Sequence, residues 1–418
     1  MSPAELLRPP DVSGFRCVGP ACEDTCCHGW GVLVDETTYR RYQAFPEGPL
    51  RALAQRYVAP RPDSATAAAF AAIQLTPSND CPFLDADRLC AVHKQHGAEA
   101  LPPTCSIYPR ALSRVESGGE LEVTLHLSCP EAARIVLLGE ASAASSRSDA
   151  PTALPTGQFF RLAGESPHKP VAYFAEIREC VVGLLRDRSH PMWERLFALG
   201  LLCRRLDAIA SPEQDPGVPG ILDEWRTTLA GGAFRFEAEC VRAQKALQLD
   251  VVLRLLDRRV RAGGASERFL ECFQDFLRGI GYSPESSLED DVRRYAEADS
   301  RYLGPFLGRH PSVMENYLLN YVFRTLFPFG REASLHCAPQ SVFDEYLLLA
   351  AHYLLVRGLL AGMAGHYREG LGTGHAVKAI QSFSKAADHA PAYLRGINEF
   401  LRQRKLDDLP SIGGLLKT

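Results

Sequence analysis

The sequence predicts a mainly α protein in two parts. A small cysteine-rich α+β metal-binding domain with short strands comes first, and a larger all-helical domain follows. Three observations carry this expectation. Eight of the 13 cysteines fall between Cys17 and Cys129, four of them within CVGPACEDTCC. Residues 140–158 are rich in Ser, Ala and Pro and have no periodicity, which reads as a linker or long loop. Beyond about residue 168, apolar residues recur at three- and four-residue spacing almost to the end. The expected division is therefore 1–139, a linker at 140–158, and 159–418.

Each element follows from local chemistry. Gly29–Val34 is a short apolar run opened by glycines, which suits a strand. Asp35 is placed to cap a helix through Tyr42, and a second helix is expected over Leu50–Val58. Phe70–Leu75 reads as a strand, and Val92–Gly97 as a helical turn carrying His93 and His96. Ala111–Val115 and Leu121–Leu127 form a hairpin pattern around a Ser-Gly-Gly turn, and a helix starts near Pro130. Helices are then expected over 170–187, 191–209, 234–260, 266–280, 286–303, 311–327, 340–364, 374–388 and 391–404.

Composition narrows the function. The chain has 418 residues, is 46% hydrophobic and 23% charged, and carries a formal charge of −4. That balance offers no basic surface for nucleic acid and no polybasic run for a membrane. The apolar stretch Tyr346–Ala364 is interrupted by His352 and Arg357, so a buried helix is expected there rather than a membrane span. The opening residues show no basic-then-apolar leader pattern, and a cytoplasmic protein is expected.

Clustered thiols have three possible chemistries. A disulfide framework belongs to small domains in oxidising compartments, and this chain is long enough to build a core without one. Zinc takes Cys-x2–4-Cys pairs in fours, and Cys22-x3-Cys26 would supply one pair. Iron–sulfur clusters take thiolates on several irons. The adjacent Cys26-Cys27 pair favours the cluster, because neighbouring side chains diverge and suit several attachment points better than one ion. The candidate ligands are Cys17, Cys22, Cys26, Cys27, Cys81, Cys90, Cys105 and Cys129. Cys129 opens a helix and is the one most easily read as a small buried hydrophobe. Cys180, Cys203, Cys240, Cys272 and Cys337 are scattered singly and are expected to be packing residues. His28, His93 and His96 could replace a thiol as ligand, but more often such residues support the site or are solvated. Cys22-x3-Cys26 is followed by Gly29 where a radical S-adenosylmethionine motif requires cysteine, so that motif is absent.

The pattern GFRC-x4-CEDTCC-x-GW, followed by CPFLD, LCAVH, LPPTCSIYPR and LSCPEAAR, resembles the flagellin lysine-N-methylase family. Its shorter core also resembles the CxxxCC zinc- or iron-chelating domain family. The first resemblance spans Gly14 to about Leu138, and MENYLLNYVFRTLFPF at 314–329 is similar to the same family. The resemblance implies a cytoplasmic enzyme that methylates lysine ε-amines of flagellin. It further implies S-adenosylmethionine as donor and an iron–sulfur cluster, [4Fe–4S] before zinc, among the cysteines. Oligomeric state is not implied.

Methyl transfer from a sulfonium to an amine needs positioning and a neutral amine, whose reference pKa is ~10.4 when solvated. The second patch offers suitable groups. Asn316, Asn320 and Arg324 share one helix face and are candidates for holding the donor. Tyr317 and Tyr321 form the neighbouring stripe, and Glu315 and Asp344 are candidate proton acceptors. The bland alternative is a core helix whose polar stripe bonds its neighbours. No Gly-x-Gly-x-x-Gly follows a strand, so a Rossmann-type donor site is not expected. The competing function is a non-catalytic protein that stores, delivers or senses iron or zinc. An electron-transfer module is a third, weaker possibility.

Overall fold

The architecture is mainly helical, and among the described residues the strands are short and form two small sheets. The computed structural model describes residues 12, 14–61, 66–115, 121–139, 160–162, 170–209, 217–232, 234–283, 285–330 and 341–418. The expected linker at 140–158, the hairpin turn and Cys337 lie outside these residues.

The cysteine-rich part contains β1 (Val32–Val34), α1 (Glu36–Gln43), α2 (Pro49–Tyr57), β2 (Val58–Pro60), β3 (Ala71–Ile73), α3 (Ala91–His96) and α4 (Pro103–Ile107). It continues through β4 (Arg110–Val115), β5 (Leu121–Leu125) and α5 (Pro130–Leu138) to β6 (Phe160–Leu162). The helices α6 (Phe174–Arg186), α7 (Met192–Asp207), α8 (Gly217–Gly231), α9 (Phe234–Cys240) and α10 (Lys245–Arg261) follow. After them come α11 (Glu267–Gly279), α12 (Leu288–Ala298), α13 (Gly304–Arg309), α14 (Ser312–Arg324) and α15 (Val342–Tyr367). The chain ends with α16 (Thr373–Ala387), α17 (Pro391–Gln403) and α18 (Leu409–Leu416).

Local chemistry explains the starts. Asp35 accepts from the Thr38 amide at 3.0 Å, as expected of an N-cap. Ser266, Ser287 and Asp408 cap α11, α12 and α18 in the same way. Ser341 and Asp344 make a reciprocal capping box on α15. Proline occupies the first turn of α2, α4 and α5, where a missing N–H costs nothing.

The first sheet has the order β1-β3-β2, all antiparallel. Val32 and Val34 point into its core while Leu33 is exposed. In the second sheet β4 pairs antiparallel with β5 and parallel with β6. The smaller core gathers Val32, Tyr42, Leu50, Ile73, Phe83 and Val92. The larger core already includes Leu125, Leu127 and the α5 residues Ala132, Val136 and Leu137. Packing therefore joins α5 to the helical part, ahead of the boundary expected at 139.

Two helices differ from the periodicity in instructive ways. The expected helix over 234–260 is broken into α9 and α10. At the break the Gln244 amide donates to Gly414 O at 3.0 Å, and Lys417 Nζ donates to Val241 O at 2.8 Å. The C-terminal helix thus satisfies backbone groups that a continuous helix would have paired internally. The helix expected over 286–303 ends in a π turn at Asp299–Leu303. There buried Asp299 meets Arg357 Nη2 and Lys245 Nζ, each at 2.7 Å. Burial would raise its pKa, but these two cations hold it below the usual carboxylate range.

α15 is long and apolar enough to cross a membrane by composition, and its apolar window is wholly buried. It is the central core helix. Its glycines let α11 approach closely. A Cβ on Gly362 would collide with the Phe276 ring, and one on Gly279 would overlap the Gly362 carbonyl. Replacing Gly362 with alanine should therefore cost about 1–3 kcal/mol in a urea or thermal unfolding measurement. An unchanged melting temperature would contradict this contact.

Candidate metal centre

All eight clustered cysteines line one cavity of about 980 Å3. They reach it from separate pieces of chain. Cys17 and Cys22 flank the single turn Gly19–Ala21. The Gly19 amide donates to Cys17 Sγ at 3.5 Å, and the Cys22 amide donates to Gly19 O at 3.1 Å. The Cys81 amide donates to Cys27 O at 2.7 Å, which sets the CPFLD loop against the double cysteine. Cys105 lies in α4. Cys90 and Cys129 are the residues immediately before α3 and α5. A thiolate is favoured at such an amino-terminal position.

The thiols sit close enough to perturb one another. Cys26 donates to Cys27, and this bond raises Cys26, with burial adding to it. The same bond lowers Cys27, but its hydrogen bond to Cys81 and its burial outweigh that, and it is pushed up to about 12. Burial pushes Cys129 up to about 12, with Cys22 and Cys17 contributing. Burial also raises Cys105, with Cys27, Cys26 and Cys90 adding to it. Several thiolates cannot gather here without a compensating cation, and a thiophilic metal supplies one. The twelve described cysteines are free thiols. Among the described residues no three Cys, His, Asp or Glu side chains converge as the ligands of one ion. Thiols spread around a wide cavity suit a polyatomic iron–sulfur group better than a lone tetrahedral ion.

The CEDTCC loop is fastened to α16. Lys385 Nζ donates to Asp24 Oδ1 at 2.7 Å and to Thr25 O at 2.8 Å. Gln381 Nε2 donates to Asp24 Oδ2 and to Ser128 O, both at 2.9 Å. Burial would raise the Asp24 pKa, but the Lys385 ammonium and these bonds hold it low. On the cavity wall the Trp30 ring lies 5.3 Å from Tyr108, and it stacks on His389 at 5.4 Å. Trp30 Nε1 donates to Cys26 O at 2.7 Å. Ser128 Oγ lies 3.0 Å from Tyr108 Oη and 3.0 Å from His389 Nε2.

The three histidines fall out differently. His93 lines the cavity. His28 is turned to Asp80 Oδ1 at 2.8 Å, and His96 stacks on Phe45 at 4.4 Å. Cys203 and Cys272 are buried in the large core, as expected of packing residues.

The polar face of α14 is buried among the described residues. Asn316 Nδ2 donates to Val136 O at 2.9 Å and to Gly139 O at 3.0 Å, and Asn320 Nδ2 donates to Leu125 O at 3.1 Å. Arg324 pairs with Asp388 at 2.9 Å. Glu315 is buried and forked by Arg188 at 2.9 and 3.1 Å. Tyr317 Oη lies 3.2 Å from His352 Nδ1, and the Tyr321 ring meets the same imidazole edge-on. Asp344 caps α15 and pairs with Arg402. None of these seven lines the thiol cavity. On the face expected to hold the donor, the amide groups of Asn316 and Asn320 are thus engaged by backbone carbonyls of α5 and β5 and of the residue after α5.

Tyr108 and Ser128 stood inside the quoted cysteine motifs. Gln381, Lys385 and His389 gave no signal, because they lie some 250 or more residues away and meet the loop only through the fold.

Residues 178–415 match the family described as the FliB lysine N-methylase C-terminal domain. The chain belongs to this FliB family. Over 138 residues it is 36% identical to proteins named lysine-N-methylase from Salmonella typhimurium and Salmonella choleraesuis, covering 33% of this chain and 33% of each of them. It therefore spans about a third of the length of these relatives. The same identity over 138 residues relates it to the flagellar biosynthetic protein FliU of Salmonella muenchen, of which 79% is covered. No solved structure matches the chain. The FliB-family match runs from α6 to α18 and so includes α16, which carries Lys385 and Gln381.

Two outcomes follow from the geometry. Lys385→Met should destabilise the protein by about 3–5 kcal/mol, because it leaves Asp24 charged and buried. Protease cleavage near Asp24 should then precede global unfolding; equal resistance of variant and wild type would refute the fastening. Asn316→Ala should cost about 1–3 kcal/mol, because the buried Val136 carbonyl and the part-buried Gly139 carbonyl lose their donor. Calorimetric melting without a downward shift would speak against that role.

Proposed function

We propose that this protein is a protein-lysine N-methyltransferase that transfers a methyl group from S-adenosylmethionine to lysine ε-amines of flagellin. The observation that carries the reading is the cavity where eight thiols meet the Trp30 and Tyr108 rings, in a chain of the FliB family. The names of its relatives, lysine-N-methylase and flagellar biosynthetic protein, support the reaction and the substrate. Free thiols suit a reducing, cytoplasmic setting.

Direct displacement breaks the sulfonium–methyl bond, forms the nitrogen–methyl bond, and releases a thioether and a proton. The amine must arrive neutral, and burial in a cavity away from water lowers the pKa of an ammonium. Trp30 and Tyr108 offer aromatic faces to the sulfonium or ammonium cation. Trp30 is oriented by its bond to Cys26 O, so the ring pair is fixed relative to the thiols. The N-terminal cysteines would hold an iron–sulfur cluster, which supplies a fixed positive centre that staples the loop and compensates the thiolate charge.

The test is methyl transfer by the anaerobically purified full chain to flagellin, read by peptide mass spectrometry with isotope-labelled S-adenosylmethionine. Labelled methyl-lysine is expected. Trp30→Ala should lower kcat/KM by up to ~30-fold while leaving metal content unchanged. A folded, metal-loaded chain that leaves flagellin unmodified would overturn the reading in favour of a non-catalytic metal-binding protein.

A further inference from the structure

The cavity is larger than a metal group needs. At about 980 Å3 it stands at the upper end of the range for sites that enclose a small-molecule ligand. The irons and sulfides of one [4Fe–4S] cubane would fill only part of it. The β4–β5 wall has its own chemistry. Leu112 pairs with Val123, and Arg110 stands two residues before Leu112 on the same face of β4. These three line the cavity together with Phe15 and Arg16.

The charge on the lining is one-sided. Among the described residues it bears three guanidinium groups, Arg16, Arg88 and Arg110, and one carboxylate, Asp24. Asp24 is neutralised by Lys385. The other carboxylates near the wall are engaged elsewhere. Arg178 forks Glu122 of β5 at 2.6 and 2.8 Å, and Arg134 holds both Glu23 and Glu131. Among the described residues none of the three lining arginines is paired with a carboxylate. Arg16 and Arg88 are exposed, whereas Arg110 is half-buried. The Arg110 guanidinium carbon lies 5.2 Å from the centre of the Phe15 ring. Stacking on a ring fixes the guanidinium plane and leaves its edge, with parallel N–H donors, for a carboxylate.

We propose that Arg110, with Arg16 beside it, holds the carboxylate of the amino-acid moiety of the methyl donor at this end of the cavity. The inference rests on the proposed methyl transfer from S-adenosylmethionine and names the residues that orient the donor. In that molecule a short carbon chain separates the carboxylate from the sulfonium. In the protein Tyr108 stands two residues before Arg110, and its ring lies 5.3 Å from Trp30. A carboxylate on Arg110 would leave the sulfonium on the side of these rings. The cavity is then complementary to a ligand that carries both charges, with guanidinium groups at one end and aromatic faces at the other. Arg110 is a positioning residue, and its role is read in binding.

The test uses the full chain, reconstituted anaerobically with iron and sulfide and without flagellin. Isothermal titration calorimetry compares S-adenosylmethionine with its decarboxylated counterpart, which keeps the sulfonium and the nucleoside. Wild-type protein should bind the carboxylated compound about 10- to 100-fold more tightly, as expected for hydrogen bonds between charged groups. Arg110→Gln should lose that preference, with iron and sulfide per chain unchanged. Wild-type protein that binds both compounds equally, or neither, would overturn the proposal, and this comparison needs no variant to fold. Full preference retained in Arg110→Gln would overturn it as well. Loss of iron and sulfide in that variant would assign Arg110 to the charge of the cluster instead. The expected preference in a chain that leaves flagellin unmodified would sink the methyltransferase reading alone. Equal binding by a chain that does methylate flagellin would sink the carboxylate subsite alone.

Discussion

A buried ion pair governs how the two parts of the molecule are joined. Asp24 is 9% exposed and the Lys385 side chain 9%. Both charges have left water, which is expensive unless each hydrogen-bonding position is used. Here they are used: Lys385 also meets Thr25 O, and Gln381 reaches both Asp24 and Ser128 O. Gln381 is itself oriented by Arg268 from α11 at 2.9 Å. The thiol loop is therefore not a freestanding metal knot. Its second acidic residue is anchored in the helical core, and the loop keeps its shape only while α16 is in place.

The same logic explains the asparagines of α14. α5 and β5 end in carbonyls facing the helices, and Asn316 and Asn320 donate to them. These bonds fix the strand and the helix on either side of Ser128 and Cys129. The polar stripe that the sequence offered as a donor face or as a core stripe bonding its neighbours holds the strand and helix that carry one wall of the cavity. Arg324 continues the support by pairing with Asp388, the neighbour of His389 that stacks on Trp30. The helical domain thus acts on the cavity through position rather than through direct contact of these residues.

Much of this was legible in sequence where the signal was local. The cap at Asp35, the start of α5 at Pro130, and the period of the long helices are properties of a few neighbouring residues. The thiol clustering likewise pointed to one site. The rest depends on partners far apart in the chain. The break between α9 and α10 is created by Gly414 and Lys417, which no window around residue 242 contains. The short helix α18 and strands β2 and β6 lack a period long enough to read. The polar stripe of α14 was read correctly as a stripe, but periodicity cannot say whether it faces water, a ligand or backbone carbonyls.

A direct displacement at a sulfonium makes modest demands on a protein: alignment, exclusion of water, and an environment that does not oppose the departing positive charge. On the proposed reading, this chain meets them without a glycine-rich nucleotide fold. The aromatic pair is positioned by hydrogen bonds at both ends, Trp30 to the thiol loop and Tyr108 to Ser128. Those ends belong to pieces of chain that carry different thiols and pack on different cores. Metal binding by the thiols would then tighten the wall against which a cation sits. A cluster held by these thiols would have a physical reason to be present even without a redox step: it would add a second constraint to a loop that the helical core anchors at Asp24.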